Sequence, residues 1–204
     1  MEGAQQITES IWDTLELADR SATLWINSFH NPSSDAFWTF MSEIKVWIPL
    51  YVAIAALMIW RLGWKKGLIA IVCIALAFFF NERVCNFIKE MAQRVRPCND
   101  EAMIAAGINA IGIGGGYSFP SGHACNCFGL ATSSILSIKA DSRHHWYTYS
   151  AFIIVWAVLI GISRIMMARH FLGDVLVGAA IGAFMGVIWG CLSQFLCARL
   201  KIVQ

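Results

Sequence analysis

The sequence predicts an all-α protein, a polytopic bundle of about five transmembrane helices preceded by an amphipathic N-terminal interfacial segment. Two observations predict it. Of 204 residues, 58% are hydrophobic and only 14% charged, whereas a soluble domain is roughly half apolar and about a quarter charged. The mean hydropathy is +0.61, and the apolar residues gather into long runs separated by short basic turns. The formal net charge of +2 says little about partners, because placement of charge matters more than its sum. A nucleic-acid partner has no support, and no obligatory protein partner is evident.

Residues 1–45 form the N-terminal segment. Ile7, Ile11, Leu15 and Leu17 interleave with Glu9, Asp13, Glu16 and Asp19 at helical spacing, the pattern of an amphipathic helix. Trp12 and Trp25 suit a membrane interface, and Asn31-Pro32-Ser33-Ser34 breaks the segment. The first 40 residues lack the basic region and apolar core of a cleavable signal.

The membrane domain is expected over residues 46–204. A first span runs from about Val46 to Trp60, its helix beginning nearer Trp38, and Arg61, Lys65 and Lys66 follow as a basic turn. A second starts near Gly67, stays apolar to Phe80, then continues through Asn81, Glu82 and Arg83 towards Lys89, since a bilayer needs about 20 residues of helix. Residues 97–120 form a connector carrying Gly112 and Gly114 to Gly116. The third span covers Ser121 to Ile138, the fourth Trp146 to Ser163 and the fifth Leu172 to Leu196.

Basic residues orient the bundle. Arg61, Lys65, Lys66, Lys139, Arg143, Arg199 and Lys201 all fall on one side, which the positive-inside rule makes cytoplasmic. Lys89, Arg94, Arg96, Arg164 and Arg169 fall on the outward side and need another reason. The seven cysteines (Cys73, Cys85, Cys98, Cys125, Cys127, Cys191 and Cys197) sit mostly in or beside apolar runs, where cysteine packs as a small hydrophobe. Cys125 and Cys127 have no second pair at zinc-site spacing, so no metal is expected. A disulfide from Cys98 to another outward cysteine is compatible with the sequence.

Three polar clusters stand at the outward ends of apolar helices. Lys89 and Arg96 are seven residues apart, nearly two turns, so both are expected to project from one face of the second helix; Pro97 then ends or kinks it. Pro120-Ser121-Gly122-His123 opens the third span, where free N–H groups and a positive dipole end favour phosphate. Ser163-Arg164 is followed by His170 and Asp174, one helical turn apart. Taken singly, these are snorkelling cations, a helix cap and a structural His–Asp pair. Brought to one membrane face, they make a site for a phosphate dianion with one imidazole free to attack it.

Lys89-x6-Arg96-Pro97, Pro120-Ser121-Gly122-His123 and Ser163-Arg164-x5-His170-x3-Asp174 resemble the three-part signature of the type 2 phosphatidic acid phosphatase superfamily. That superfamily also contains glucose-6-phosphatase and the vanadium haloperoxidases. The resemblance covers residues 45 to 197, with no signature position missing. It implies a metal-independent, cofactor-free lipid phosphatase with a histidine nucleophile. His170 would attack phosphorus to form a phosphohistidine, with Asp174 orienting its other ring nitrogen. His123 would serve as general acid and then as base for water. Lys89, Arg96, Arg164, Ser121 and the Gly122 N–H would bind the phosphoryl oxygens, and vanadate would inhibit. The size and compact turns are similar to those of bacterial lipid phosphatases, so the expected place is a bacterial inner membrane with the site facing the periplasm. The expected substrate is undecaprenyl diphosphate ahead of phosphatidylglycerophosphate or the phosphates of lipid A.

Beyond the signature, Glu82 shares a helical face with Lys89 and is a candidate to orient Lys89 or Arg164. Arg169 is read as a snorkelling cation or a contact to a second phosphate. The Gly112–Gly116 cluster lacks a P-loop ending and is read as a flexible rim. His144 and His145 fall on the opposite face, and His30 has no assignment. Many relatives have six spans, and here the 1–45 segment replaces the leading one. The alternatives are a haloperoxidase-like enzyme, disfavoured by five apolar spans, and a non-catalytic transport or scaffold protein. The latter is disfavoured because no signature residue is lost.

Overall fold

A computed structural model of the chain describes residues 2–112, 114–141 and 145–200, the side chains of 2–9 excepted. The side chains of Ile7 and Glu9, and the whole of Arg143, His144 and Lys201, lie outside the described residues. The regular structure of the described residues is all helical: α1 (Glu2–Asn27), α2 (Pro32–Ser42), α3 (Ile48–Leu62), α4 (Trp64–Ala92), α5 (Glu101–Ala105), α6 (Gly122–Ile138), α7 (Tyr147–Met166) and α8 (Leu172–Arg199). Short 3-10 turns at Ile44–Trp47 and Pro97–Asn99 precede α3 and α5.

Among the described residues, four helical stretches are long and apolar enough to cross a membrane, namely Ile44–Leu62, the stretch from Trp64, Tyr147–Met166 and Leu172–Arg199. The third expected span, α6, is shorter at 17 residues. It lies enclosed by its neighbours and packs most extensively against α8.

Two expectations about helix ends are corrected. The first span does not begin near Trp38. That residue belongs to α2, which ends at Ser42, and Glu43 takes an extended conformation before the chain turns into α3. Pro49 stands in the first turn of α3, where its missing N–H costs nothing and where a helix preferentially starts. Likewise, α4 does not reach Arg96. It ends at Ala92, with Gln93 in the left-handed region at φ 46°, and Arg96 is extended at φ −76°, ψ 150°. Pro97 disfavours helical geometry in the residue before it, so Lys89 and Arg96 do not share a helical face.

Small residues hold the centre together. Gly178, Gly182, Gly186 and Gly190 are buried along one face of α8 at four-residue spacing. A Cβ on Gly178 would lie 2.4 Å from the Ser121 carbonyl oxygen, and one on Gly182 would lie 1.9 Å from that of Cys125. Inside a bilayer, apolar contact alone does not drive helices together, so close backbone packing between small residues carries the association. Around this pair, Met58, Ile153, Trp156 and Ile160 form a buried core between α3, α6 and α7, with Trp47 edge-on to Trp156 at 5.6 Å.

The N-terminal segment is amphipathic as expected. Ile11, Trp12, Leu15 and Trp25 are exposed, while Thr23 and Asn27 are fully buried against the loops around α8. Asn27 Nδ2 donates to the carbonyls of Asn109, Ile165 and Met166 at 3.0, 3.2 and 3.0 Å. Thus its inner face is polar and bonded to protein. At the far end of the bundle, the buried pair Arg61–Asp141 joins α3 to the end of α6 at 2.7 Å.

Gly182→Ala is expected to be destabilising by about 3 kcal/mol or more, because the clash is with backbone rather than a flexible side chain. A thermal-unfolding midpoint in detergent, lowered relative to an Ala substitution at exposed Val187, checks this.

Candidate active site

The C-terminal ends of α4 and α7 and the N-terminal ends of α6 and α8 meet at one end of the bundle, and the signature residues meet with them. His170 lies in the tight turn between α7 and α8, its amide donating to the Arg164 carbonyl at 3.2 Å. The ring is 2% exposed. Arg96 Nη1 approaches its Nε2 at 3.2 Å. A guanidinium can only donate, so Nε2 must accept, and the ring proton is on Nδ1. That proton faces Asp174 Oδ2 at 3.6 Å, a loose contact of the kind that tightens when substrate binds. Burial pushes the His170 imidazole down to about 4, against the opposing pull of Asp174. The ring is therefore neutral at pH 7, with the Nε2 lone pair engaged by Arg96.

Asp174, in the first turn of α8, is fully buried. Its Oδ2 accepts from the Phe171 amide at 2.9 Å and from the Ser118 hydroxyl. Its Oδ1 accepts from Arg94 Nη1 at 2.6 Å. Arg94 and Ser118 are contributions that the sequence reading missed. Their only signal is a second arginine inside the first motif and a hydroxyl just before the second.

Ser121 caps α6, its hydroxyl accepting from the Ala124 amide at 3.4 Å, and its own amide donates to the Asp174 carbonyl at 2.9 Å. Gly122 opens the helix. A Cβ there would stand 3.6 Å from Lys89 Nζ and 3.9 Å from Glu82 Oε1, so α4 brings both side chains to the N-terminus of α6. Glu82 accepts from Asn126 Nδ2 at 2.5 Å, which fixes its carboxylate beside Lys89. His123 follows in the first turn of α6, within electrostatic reach of His170, Lys89, Arg96 and Arg164.

Arg164 is buried in α7. Its Nη1 donates to the Ser42 hydroxyl of α2, and its Nε is buried without a partner among the described residues. Arg96 is held by carbonyls: Nε by Gly115 at 2.9 Å and Nη1 by Arg169 at 2.9 Å. The glycine cluster therefore grips a site cation rather than forming a loose rim. A Cβ on Gly114 would lie 2.7 Å from Arg96 Cδ and 3.0 Å from Arg169 Nη1. Arg169 itself is tied to the Ile111 carbonyl at 3.2 Å.

His145 sits at the opposite end beside Tyr147, away from the site as expected. His30 lies 4.0 Å from Asp35 and takes no part. All seven cysteines are free. The assembled site has three cations and a helix N-terminus around one space, with a neutral imidazole at its edge whose Nε2 faces Arg96. That arrangement can hold a phosphate dianion and attack its phosphorus.

Residues 66–196 match the model of the PAP2 superfamily. A lipid A 4'-phosphatase of Bacteroides thetaiotaomicron is 34% identical over 186 residues, covering 90% of this chain and 80% of that protein. Among solved structures, a PAP2-type phosphatidylglycerolphosphate phosphatase from Bacillus subtilis has the same fold, with a TM-score of 0.69. It is 22% identical, covering 89% of this chain and 87% of that one. LpxE of Aquifex aeolicus aligns with a TM-score of 0.59 at 26% identity, over 83% and 92% of the two chains. The apolar helices, the phosphate-shaped site and these likenesses together identify the chain as a member of the PAP2 superfamily, an integral membrane lipid phosphatase.

Proposed function

We propose that the chain removes a phosphate from a lipid A-type glycolipid at the extracytoplasmic face of a bacterial inner membrane, through a phosphohistidine on His170. The observation that carries the chemistry is the Arg96 contact to His170 Nε2. It sets the nucleophilic lone pair in the same space as the phosphate-binding cations. The Bacteroides relative, a lipid A 4'-phosphatase aligned over nearly the whole chain, supports this substrate ahead of undecaprenyl diphosphate. An open apolar cavity of about 310 Å³ supports an acylated substrate. It is lined by Tyr51, Ile54, Ile74, Phe78 and Trp156 and reaches Asn126, the partner of Glu82. The basic residues gathered at the other end support the outward placement.

In the reaction, the Nε2 lone pair forms a bond to phosphorus as the phosphorus–oxygen bond to the lipid breaks. His123, protonated beside the bound phosphate dianion, gives its proton to the leaving oxygen. The imidazole gains positive charge on attack, and Asp174 offsets it by holding the Nδ1 proton. Lys89, Arg96, Arg164 and the Gly122 amide take the charge on the three equatorial oxygens. A water then attacks the phosphohistidine with His123 as base, which returns His170 neutral and releases inorganic phosphate.

Two outcomes test this. Purified protein in detergent with EDTA is expected to release phosphate from lipid A bisphosphate faster than from undecaprenyl diphosphate or phosphatidylglycerophosphate, and His170→Ala should release none. A preference for another lipid would overturn the substrate, and turnover by His170→Ala would overturn the nucleophile. His123→Ala is expected to lower kcat on the lipid by about 10²–10⁴-fold. The loss should be smaller on p-nitrophenyl phosphate, whose leaving group needs no proton; equal losses on both would contradict the general-acid role.

A further inference from the structure

The N-terminal helix brings to the catalytic turn a carboxylate, Asp19, that the reaction scheme above does not use. Arg94 spans two carboxylates. Its Nη1 donates to Asp174 Oδ1 at 2.6 Å and its Nη2 to Asp19 Oδ2 at 2.8 Å. The other oxygen of Asp19 accepts from the Gly173 amide at 2.7 Å, one residue before Asp174. Glycine at 173 makes room for this, since a Cβ there would stand 2.9 Å from Asp19 Oδ2. The Arg94 guanidinium lies over the Phe171 ring at 3.9 Å, which leaves it little freedom to swing elsewhere.

We propose that Asp19 is a positioning residue for the nucleophile. It clamps Arg94 and the first turn of α8 so that Asp174 stays aimed at His170, and it leaves the trio Asp19–Arg94–Asp174 with one net negative charge behind the imidazole. The inference rests on the nucleophilic role proposed for His170.

The electrostatic part follows from the count of charges. Asp174 and Arg94 alone sum to zero, and a neutral pair does little to offset the positive charge that His170 acquires on attack. Adding Asp19 restores one negative charge. Every other charged or titratable group facing His170 opposes that charge or is neutral: Arg96 beside its Nε2, Arg164 from α7, His123 from α6 and the neighbouring Arg169. Lys89 from α4 acts through His123. Arg20, next to Asp19, is occupied by Asp100 at 2.8 Å and by Glu16 at 2.8 Å, so it does not cancel the Asp19 charge.

Asp19→Asn keeps an acceptor for the Gly173 amide but removes the charge and turns an NH2 towards Arg94 in place of the oxygen that holds it. In the detergent-solubilised full chain acting on lipid A bisphosphate, kcat is expected to fall about ten- to a hundredfold, with KM within about twofold. The acid limb of the kcat profile is expected to move to lower pH by roughly one unit, because the imidazolium loses support. Asp19→Glu should recover most of the rate. Thr23→Val is the control for mere docking of α1: it breaks the bond from the Leu172 amide at 2.9 Å without touching charge, and the acid limb should stay where it is. A wild-type kcat and limb in Asp19→Asn would overturn the inference, as would the same shift in Thr23→Val. If His170→Ala retains turnover, the nucleophile reading falls instead, whatever Asp19→Asn does.

Discussion

The carboxylate of Asp174 is the point on which the site depends. A fully buried charge is costly unless it is paired and hydrogen-bonded, and here every partner comes from a different part of the chain. Arg94 arrives from the stretch between α4 and the connector, Ser118 from the connector's far end, and the Phe171 amide from the turn after α7. The backbone of the same residue takes the amide of Ser121, which fixes the start of α6. One residue therefore registers the connector, the proposed nucleophile and the helix end proposed to bind phosphate against one another. The chemistry that needs these groups within a few ångströms is secured by the same bonds that neutralise the charge.

That registration is available only because α6 and α8 pack backbone to backbone. Gly178 faces Ser121 and Gly182 faces Cys125, so the glycine row begins at the site and runs inward from it. Any side chain at these positions would push the two helix starts apart and lengthen the bond between Ser121 and Asp174. Packing in the apolar middle of the bundle thus sets distances at its polar end.

Much of this could be read from the residues. The apolar runs gave the order of the helices, and the three motifs named His123, His170, Asp174 and the cations that the fold then gathers. The helix count failed between Lys89 and Arg96 because a seven-residue spacing was carried across Gln93, where the chain turns left-handed to reach the proline. Glu82 was legible through its spacing to Lys89, whereas its partner Asn126 was not, because the bond joins two helices. Arg94 was visible only as one more outward cation. Asp19 looked like one of several acids on a surface helix, since contacts 75 and 154 positions along the chain leave no periodic trace. The four-residue spacing of glycines in α8 stood in the sequence and was a readable sign of close packing.

The arginines near the site divide by what holds them. Arg94 and Arg20 are bound by carboxylates, so their charge is spent within the protein and they act as fasteners. Arg96 is bound by the carbonyls of Gly115 and Arg169, and Arg164 by the hydroxyl of Ser42; among the described residues neither has a carboxylate partner. Neutral acceptors orient a guanidinium without cancelling its charge. A phosphate dianion entering this space would then meet cations whose geometry is already fixed and whose charge is still unmatched, the condition under which preorganised groups stabilise a transition state most effectively. Had Arg96 been anchored by an aspartate instead of the glycine carbonyls, it would have been as well placed and far less attractive to phosphate. The glycine-rich connector is thus an electrostatic choice as much as a conformational one.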